Sequence, residues 1–348
     1  MKKKFVFLGF LTLLLSVYLF SCQKEEALTE TTITEKNEQV VNNSDEGTVG
    51  TREITPLNYA DCPNLLGLIT KTNGRLVFQD EEHFEKCAFC LEHQYDVYND
   101  AFDALYPNAT AEQLDSYADL MNFNEWGSYI SFESGLGFSS LRAKIQTESD
   151  AFLASTPAAT IDLDLDPDGL CPVLRDSERA LLNEDGEAMV GNVLKTEEDW
   201  TEKSFWDDCG FLLERSEKYT ESNNSVLVDR ELKVWIRVES GIIFSTLFGK
   251  MKHYKKNSNN RFRPERADMR IRVTGDAFDA DCGSTAQIWN GGKGWKKRKQ
   301  LFVTAYTPAM LWREAFVDGE DPKWSEKASS VNAELFSNMN LFTFGLAR

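Results

Sequence analysis

Histidine is scarce in this 348-residue chain, which has three, at positions 83, 93 and 253. So few leave little for general-base chemistry or histidine-rich metal sites. No Gly-x-Ser-x-Gly elbow, phosphate-binding glycine loop or His-Glu-x-x-His is present, so the usual marks of a hydrolase, a nucleotide enzyme or a zinc protease are missing. Acid pairs abound because the chain is acidic, and they do not single out a glycosidase. Positive charge is also in deficit. Against 56 Asp and Glu stand 38 Lys and Arg, for a net charge of −18. This argues against nucleic acid as a partner, because phosphate binding needs a clustered positive field. What is plentiful is core material: 42% hydrophobic and 12% aromatic residues, enough for a packed body of one large or two ordinary domains.

The apolar run from Phe5 to Phe20 falls short of the roughly 20 residues of a membrane span. Lys2, Lys3 and Lys4 precede it and Ser21-Cys22 follow, which are the parts of a secretory signal. Leu19-Phe20-Ser21-Cys22 resembles the lipobox of bacterial lipoproteins, although Phe20 stands where a small residue is usual. The resemblance implies cleavage after residue 21, acylation of Cys22 and a membrane partner through that lipid anchor. Gln23-Lys24-Glu25-Glu26 is similar to the surface-export signal of Bacteroidetes-type lipoproteins, which implies an outer-membrane lipoprotein exposed at the cell surface.

Residues 22–56 read as a disordered tether, rich in Thr, Glu, Asn and Ser and without an aromatic residue. Residues 57–220 read as a helix-rich domain with a hairpin, and 221–348 as an antiparallel β domain. The fold class expected is therefore α+β, the C-terminal part being a sandwich or barrel. Asp80 caps a helix whose buried positions are Phe84, Ala88, Leu91, Tyr95, Tyr98 and Phe102. A second helix runs from Ala109 to Met121. A further helical stretch from Asn124 to Leu153 breaks at Gly135 and Gly137. Asp185-Gly186 marks a hairpin turn, with Ala188 to Leu194 as the returning strand. Tyr219 to Ser225 reads as a linker or long turn, and period-two alternation follows from Val226.

Arg75-Leu-Val-Phe, Leu136-Gly-Phe-Ser-Ser-Leu-Arg142, Leu181-Leu-Asn-Glu-Asp-Gly186 and Lys250-Met-Lys-His-Tyr-Lys-Lys256 resemble an uncharacterised family of Bacteroidetes lipoproteins. That resemblance brings no known activity.

Six cysteines remain after Cys22, an even number that suggests at least one disulfide in an exported chain. His83, Cys87, Cys90 and His93 share one helix face and are a conceivable zinc set. A straight helix, however, cannot wrap four ligands around one ion, so no metal and no cofactor is expected. Asp164-x-Asp166-x-Asp168-Gly169 matches only the first half of a calcium loop: Pro172 stands at position nine, and Arg175 where a bidentate Glu belongs.

Charge is concentrated in one place. From Lys250 to Lys299 there are fourteen Lys and Arg against five Asp and Glu, a surplus of nine inside an acidic chain. Trp235, Arg237, Lys250, Lys252, Tyr254, Arg270 and Arg272 alternate along strands. Trp295 lies in a glycine-rich, basic-tipped stretch from Trp289 to Lys299 that reads as a loop. On one shared sheet face these residues would grip an anionic or glycan ligand through ion pairs and ring stacking. The expectation is a surface-tethered binding module. Its rivals are a structural envelope lipoprotein without a small ligand and a face neutralised by the acidic helical half of the same chain. Enzymatic activity is not expected.

Overall fold

The computed structural model describes residues 58–160, 167–170, 175–196, 199, 213–223, 226–240, 244–278, 284–308, 328–337 and 340–347. Cys22, the export signal and the tether lie outside these residues. Glu53–Arg348 form one compact unit.

The unit is a mixed α+β structure. Its first half holds α1 (Cys62–Gly67), β1 (Thr70–Thr72), β2 (Arg75–Phe78), α2 (Glu81–Ala104), α3 (Ala111–Met121), α4 (Gly127–Gly135), α5 (Leu141–Ser155), α6 (Pro167–Leu170) and α7 (Asp176–Leu181). Helix α2 begins where the Asp80 carboxylate accepts the His83 amide, with Glu81 and Glu82 in the first turn. Phe84, Ala88, Leu91, Tyr95 and Phe102 are buried along it, as their spacing demands. A reciprocal Thr110–Gln113 capping box starts α3. The helical stretch after Asn124 does break as expected, into α4 and α5, with Gly137 at φ 55° between them.

The Asp185-Gly186 reading is corrected. Residues 176–181 are helical, so that turn joins a helix to a strand. The hairpin lies one step later, between β3 (Ala188–Val190) and β4 (Val193–Lys195). Gly191 and Asn192 both carry positive φ, 57° and 68°, the backbone of a tight two-residue hairpin, and so they split the single strand expected from Ala188 to Leu194. A small sheet runs β1-β2-β3-β4, with β2 and β3 parallel.

The remaining strands are β5 (Leu213–Asn223), β6 (Val226–Ser240), β7 (Phe244–Lys256), β8 (Phe262–Pro264), β9 (Ala267–Phe278), β10 (Ser284–Arg298), β11 (Gln300–Pro308), β12 (Ala328–Ser337) and β13 (Asn340–Ala347). The expected linker at Tyr219 is strand as far as Asn223. The boundary read between residues 220 and 221 falls inside β5. These strands form two sheets, ordered β11-β7-β6-β5 and β10-β9-β12-β13, and among the described residues they do not close into one barrel. The sheets approach closely at Gly249 of β7. A Cβ there would stand 2.6 Å from Val273 Cγ1 and 3.2 Å from Ile271 Cδ1, both on β9, so only a residue without a side chain allows this approach.

The opposite face of the β7 sheet meets the helices. Trp235, Phe248 and Phe302 share one buried cluster with Phe84, Leu91, Tyr95 and Tyr129. Helices and sheet are therefore two layers around a common core.

The expected disulfide is Cys62–Cys90, which ties α1 to α2. Cys87 is a buried free thiol whose burial pushes it up to about 12. Reduction of the bridge, which closes a loop of 28 residues, is expected to lower stability by about 3 kcal/mol. Native alkylation followed by mass mapping should leave Cys87 unmodified. Rapid labelling of Cys87 in the folded protein would contradict this placement.

Candidate functional site

The residues expected to share one ligand-binding face lie in two places. Lys233, Trp235, Lys250, Lys252 and Tyr254 occupy the face of β6 and β7 that meets the helices, because Trp235 pairs with Lys250 and Lys233 with Lys252 across the strands. All are buried, Trp235 and Lys250 to 1% exposure. Arg270 and Arg272 are on β9 and Trp295 on β10, in the other sheet. Arg237 pairs with Phe248 through the backbone, and its side chain lies outside the described residues. The single face expected from alternation is thus corrected: period-two spacing fixes which residues of one strand share a face, but not which strands share a sheet.

The inner array is an ion cage. Lys250 Nζ is 3.0 Å from Asp176 Oδ1 and 3.4 Å from Asp168 Oδ1. Asp168 also pairs with Lys252 and with Arg179. Gln300 Nε2 donates to Asp176 Oδ2 at 3.2 Å. The Trp235 ring lies under three ammonium groups, those of Lys233, Lys250 and Lys252, at 4.5, 5.4 and 5.9 Å from its centroid. Burial alone would raise the Asp168 carboxyl, yet Lys250, Lys252 and Arg179 together hold it well below the usual range. Burial lowers Lys250, opposed by Asp168 and Asp176. Tyr254 packs with Leu153, Ala158 and Phe262 in a small satellite core.

Asp168 is the last acid of the half calcium loop. Its carboxylate is committed to three cations, an arrangement that repels a divalent ion rather than binding one. Residues 161–166, which hold Asp162, Asp164 and Asp166, lie outside the described set. Of the other conceivable metal ligands, Cys90 is consumed by its disulfide. His83 holds the Leu65 carbonyl and the Gln79 amide, and His93 stacks on Tyr59.

A second seam joins the basic strand β10 to the acidic face of α2. Asp96, Asp100 and Asp103 recur at four and three residues, so they line one side of the helix. Lys293 reaches Asp96 at 2.5 Å, Lys296 reaches Asp100 at 2.8 Å, and Arg298 reaches Asp100 at 2.6 Å and also pairs with Asp103. Arg266, fully buried, adds Glu125 at 3.1 Å and Asp103 at 3.4 Å. Most of the basic surplus between residues 250 and 299 is therefore answered by acids of the same chain. Sequence reading could weigh this docking but not assign its pairs, which lie about 200 residues apart.

A strip on β9 and β10 faces solvent. The segment expected to be a loop, Trp289 to Lys299, is strand as far as Arg298, bulged between Lys293 and Lys296 so that Gly294 and Trp295 stand opposite Arg270. The Arg270 guanidinium lies 5.5 Å from the Trp295 ring centroid, and Trp295 is 50% exposed. Arg272 is exposed and pairs in register with Gly292. Around these residues runs an open trough of about 350 Å³, lined by Arg270, Arg272, Gly291, Gly292, Lys293 and Gly294.

No protein-family model matches the chain, and no curated protein matches it. Among solved structures it is similar to a DUF4848 family protein from Bacteroides thetaiotaomicron, at 14% identity over 80% of this chain and 100% of that one, with a TM-score of 0.23.

Proposed function

We propose that this chain is a lipid-anchored cell-envelope protein, held at the outer-membrane surface through Cys22, whose body is a binding module for an anionic or glycan ligand. Its two larger sheets are proposed to lie face to face as a sandwich, which the close approach at Gly249 supports. The observation that carries the binding reading is the pairing of Arg270 with the half-exposed ring of Trp295 beside exposed Arg272. A cation and an aromatic ring side by side on an open, glycine-floored strip suit a ligand with both a ring face and polar groups. Of the eight ligand residues expected, Arg270, Arg272 and Trp295 carry the proposal, and the buried ones do not.

The test is a glycan and polyanion array probed with the soluble body from Pro56. Arg270→Ala with Arg272→Ala should abolish retention and change stability by no more than about 0.5 kcal/mol, as surface substitutions usually do. Unchanged retention, or no retained ligand at all, would overturn the reading. A structural envelope lipoprotein without a small ligand is the second reading. It is favoured by the inner array, where Lys250, Lys252 and Arg179 are sealed against acids of the same chain.

A further inference from the structure

We infer that the ligand of the outer strip is an acidic sugar, a glycan whose carboxylate or sulfate meets Arg272 while a sugar ring lies on Trp295; this rests on the reading of that strip as a ligand site. The pairing of the cations carries the inference. Basic residues are in deficit here, 38 against 56 acids, and the β strands spend most of theirs on partners within the chain. Among the described residues, every lysine from 250 to 299 pairs with an acid except Lys297, which donates to the Ala109 carbonyl. Of the arginines in that range, Arg266 and Arg298 pair with acids, and Arg261 donates to the Ala154 carbonyl. Arg270 lies against the Trp295 ring. Arg263 and Arg272 are exposed, and among the described residues neither has an acid or a ring as partner. Of these two, Arg272 is the one that stands two residues along β9 from the arginine that meets a half-exposed ring.

Residues two apart on a strand leave the same face, about 7 Å from each other, so Arg270 and Arg272 line one trough. Gly292 pairs in register with Arg272, so β10 sets no side chain beside it. A Cβ at Gly294 would meet nothing within 4 Å. The floor between Arg272 and Trp295 is thus bare backbone, which lets a flat ring approach closely. No acid lines the trough, and the charge of Lys293 is answered by Asp96. An exposed guanidinium without an acid offers a planar fork of donors to a carboxylate or sulfate. A neutral glycan would give it hydrogen bonds only about half as strong. A bare polyanion needs a dense field of one sign, and the lysines that would supply it are committed elsewhere. The half-open indole adds nothing for such a polyanion, but it fits the apolar face of a sugar.

The experiment measures retention of the soluble body from Pro56 on four immobilised supports. Polygalacturonate and heparin carry carboxylate and sulfate on sugars and tell those two groups apart. Fully methyl-esterified polygalacturonate keeps the sugar without the charge, and polyphosphate keeps the charge without the sugar. Retention on polygalacturonate, heparin or both is expected, with at least about tenfold less on the methyl ester and on polyphosphate, as loss of a charge-assisted hydrogen bond or of an aromatic anchor implies. Arg272→Gln and Trp295→Ala should each weaken retention on the acidic sugar about tenfold and leave the melting temperature unchanged. Trp295→Phe should keep most of it. Equal retention on the methyl ester, weakened by Trp295→Ala, would overturn the inference while leaving a ligand site on this strip. So would polyphosphate retention that Arg272→Gln weakens and Trp295→Ala does not. Retention on the acidic sugars that neither variant weakens would place their site elsewhere and overturn the inference, as would retention on none of the four supports, which also removes the ligand-site reading.

Discussion

Replacing Asp168 with Ala should destabilise the protein by about 3–5 kcal/mol, the usual cost of removing one partner from a buried ionic cluster. The carboxylate lies 3% exposed among Lys250, Lys252 and Arg179. Without it, Asp176 still faces Lys250 and Arg179, but both lose their Asp168 contact, as does Lys252. Adding Lys250→Met should recover part of the loss, because removing one cation together with one acid restores the charge balance of the cluster. The pH dependence follows from the direction of the shift. Asp168 is held below its ordinary value in the folded state, so its stabilisation is complete above the unfolded carboxyl range near pH 4 and is lost as pH falls towards the folded value. Denaturant midpoints of the wild type, Asp168→Ala and the double variant check this. A single-variant loss below about 1 kcal/mol would mean that Asp168 does not sit in the cage.

His253 should be the main source of instability between pH 6.5 and pH 4. It is buried on β7, where its Nδ1–H donates to the Glu265 carbonyl at 3.2 Å. Burial, first, and the nearby charges of Arg230 and Lys255 push the imidazole down to about 3. A base depressed in the folded state is protonated first in the unfolded chain, so stability falls as pH drops below about 6.5, by about 1.4 kcal/mol per pH unit. Between pH 6.5 and 4.5 the loss from this one ring is roughly 2–3 kcal/mol. His253→Gln is expected to be less stable at neutral pH and to show a shallower acid slope in that window. Unfolding titrations at pH 6.5, 5.5 and 4.5 read this directly. Equal slopes in variant and wild type would show that His253 titrates normally, and hence that it is not buried.

Local signals in the sequence placed most of the elements. The Asp80 cap, the spacing from Phe84 to Phe102, the glycine break near residue 137 and the alternation from Val226 each rest on neighbours a few residues apart, and each corresponds to an observed element. Failures came where long-range pairing decides. Trp289 to Lys299 looks like a loop because glycines depress strand propensity. Yet Gly291 packs under Val303 and Ala305, and a Cβ at Gly291 would stand 2.8 Å from Ala305 Cβ, so the glycine serves a close sheet contact. The candidate site failed for the same kind of reason. Trp235 and Lys250 share a parity with their neighbours that sequence can read, but whether that face meets solvent or a helix layer depends on Asp168 and Asp176, about 60 to 80 residues away. The local charge surplus was legible, and its partner was legible only as an acidic half of the chain.

The central claim is that the Lys250–Lys252 face of β7 is spent inside the protein, while Arg272 and Trp295 on the other sheet are exposed. Amine labelling of the folded body, read out by mass spectrometry at each lysine, tests it most directly. Lys250 and Lys252 should stay unmodified under conditions that fully label the exposed Lys144 on α5. Modification of Lys250 and Lys252 as fast as Lys144 would mean that the face is open to solvent, and it would contradict the claim.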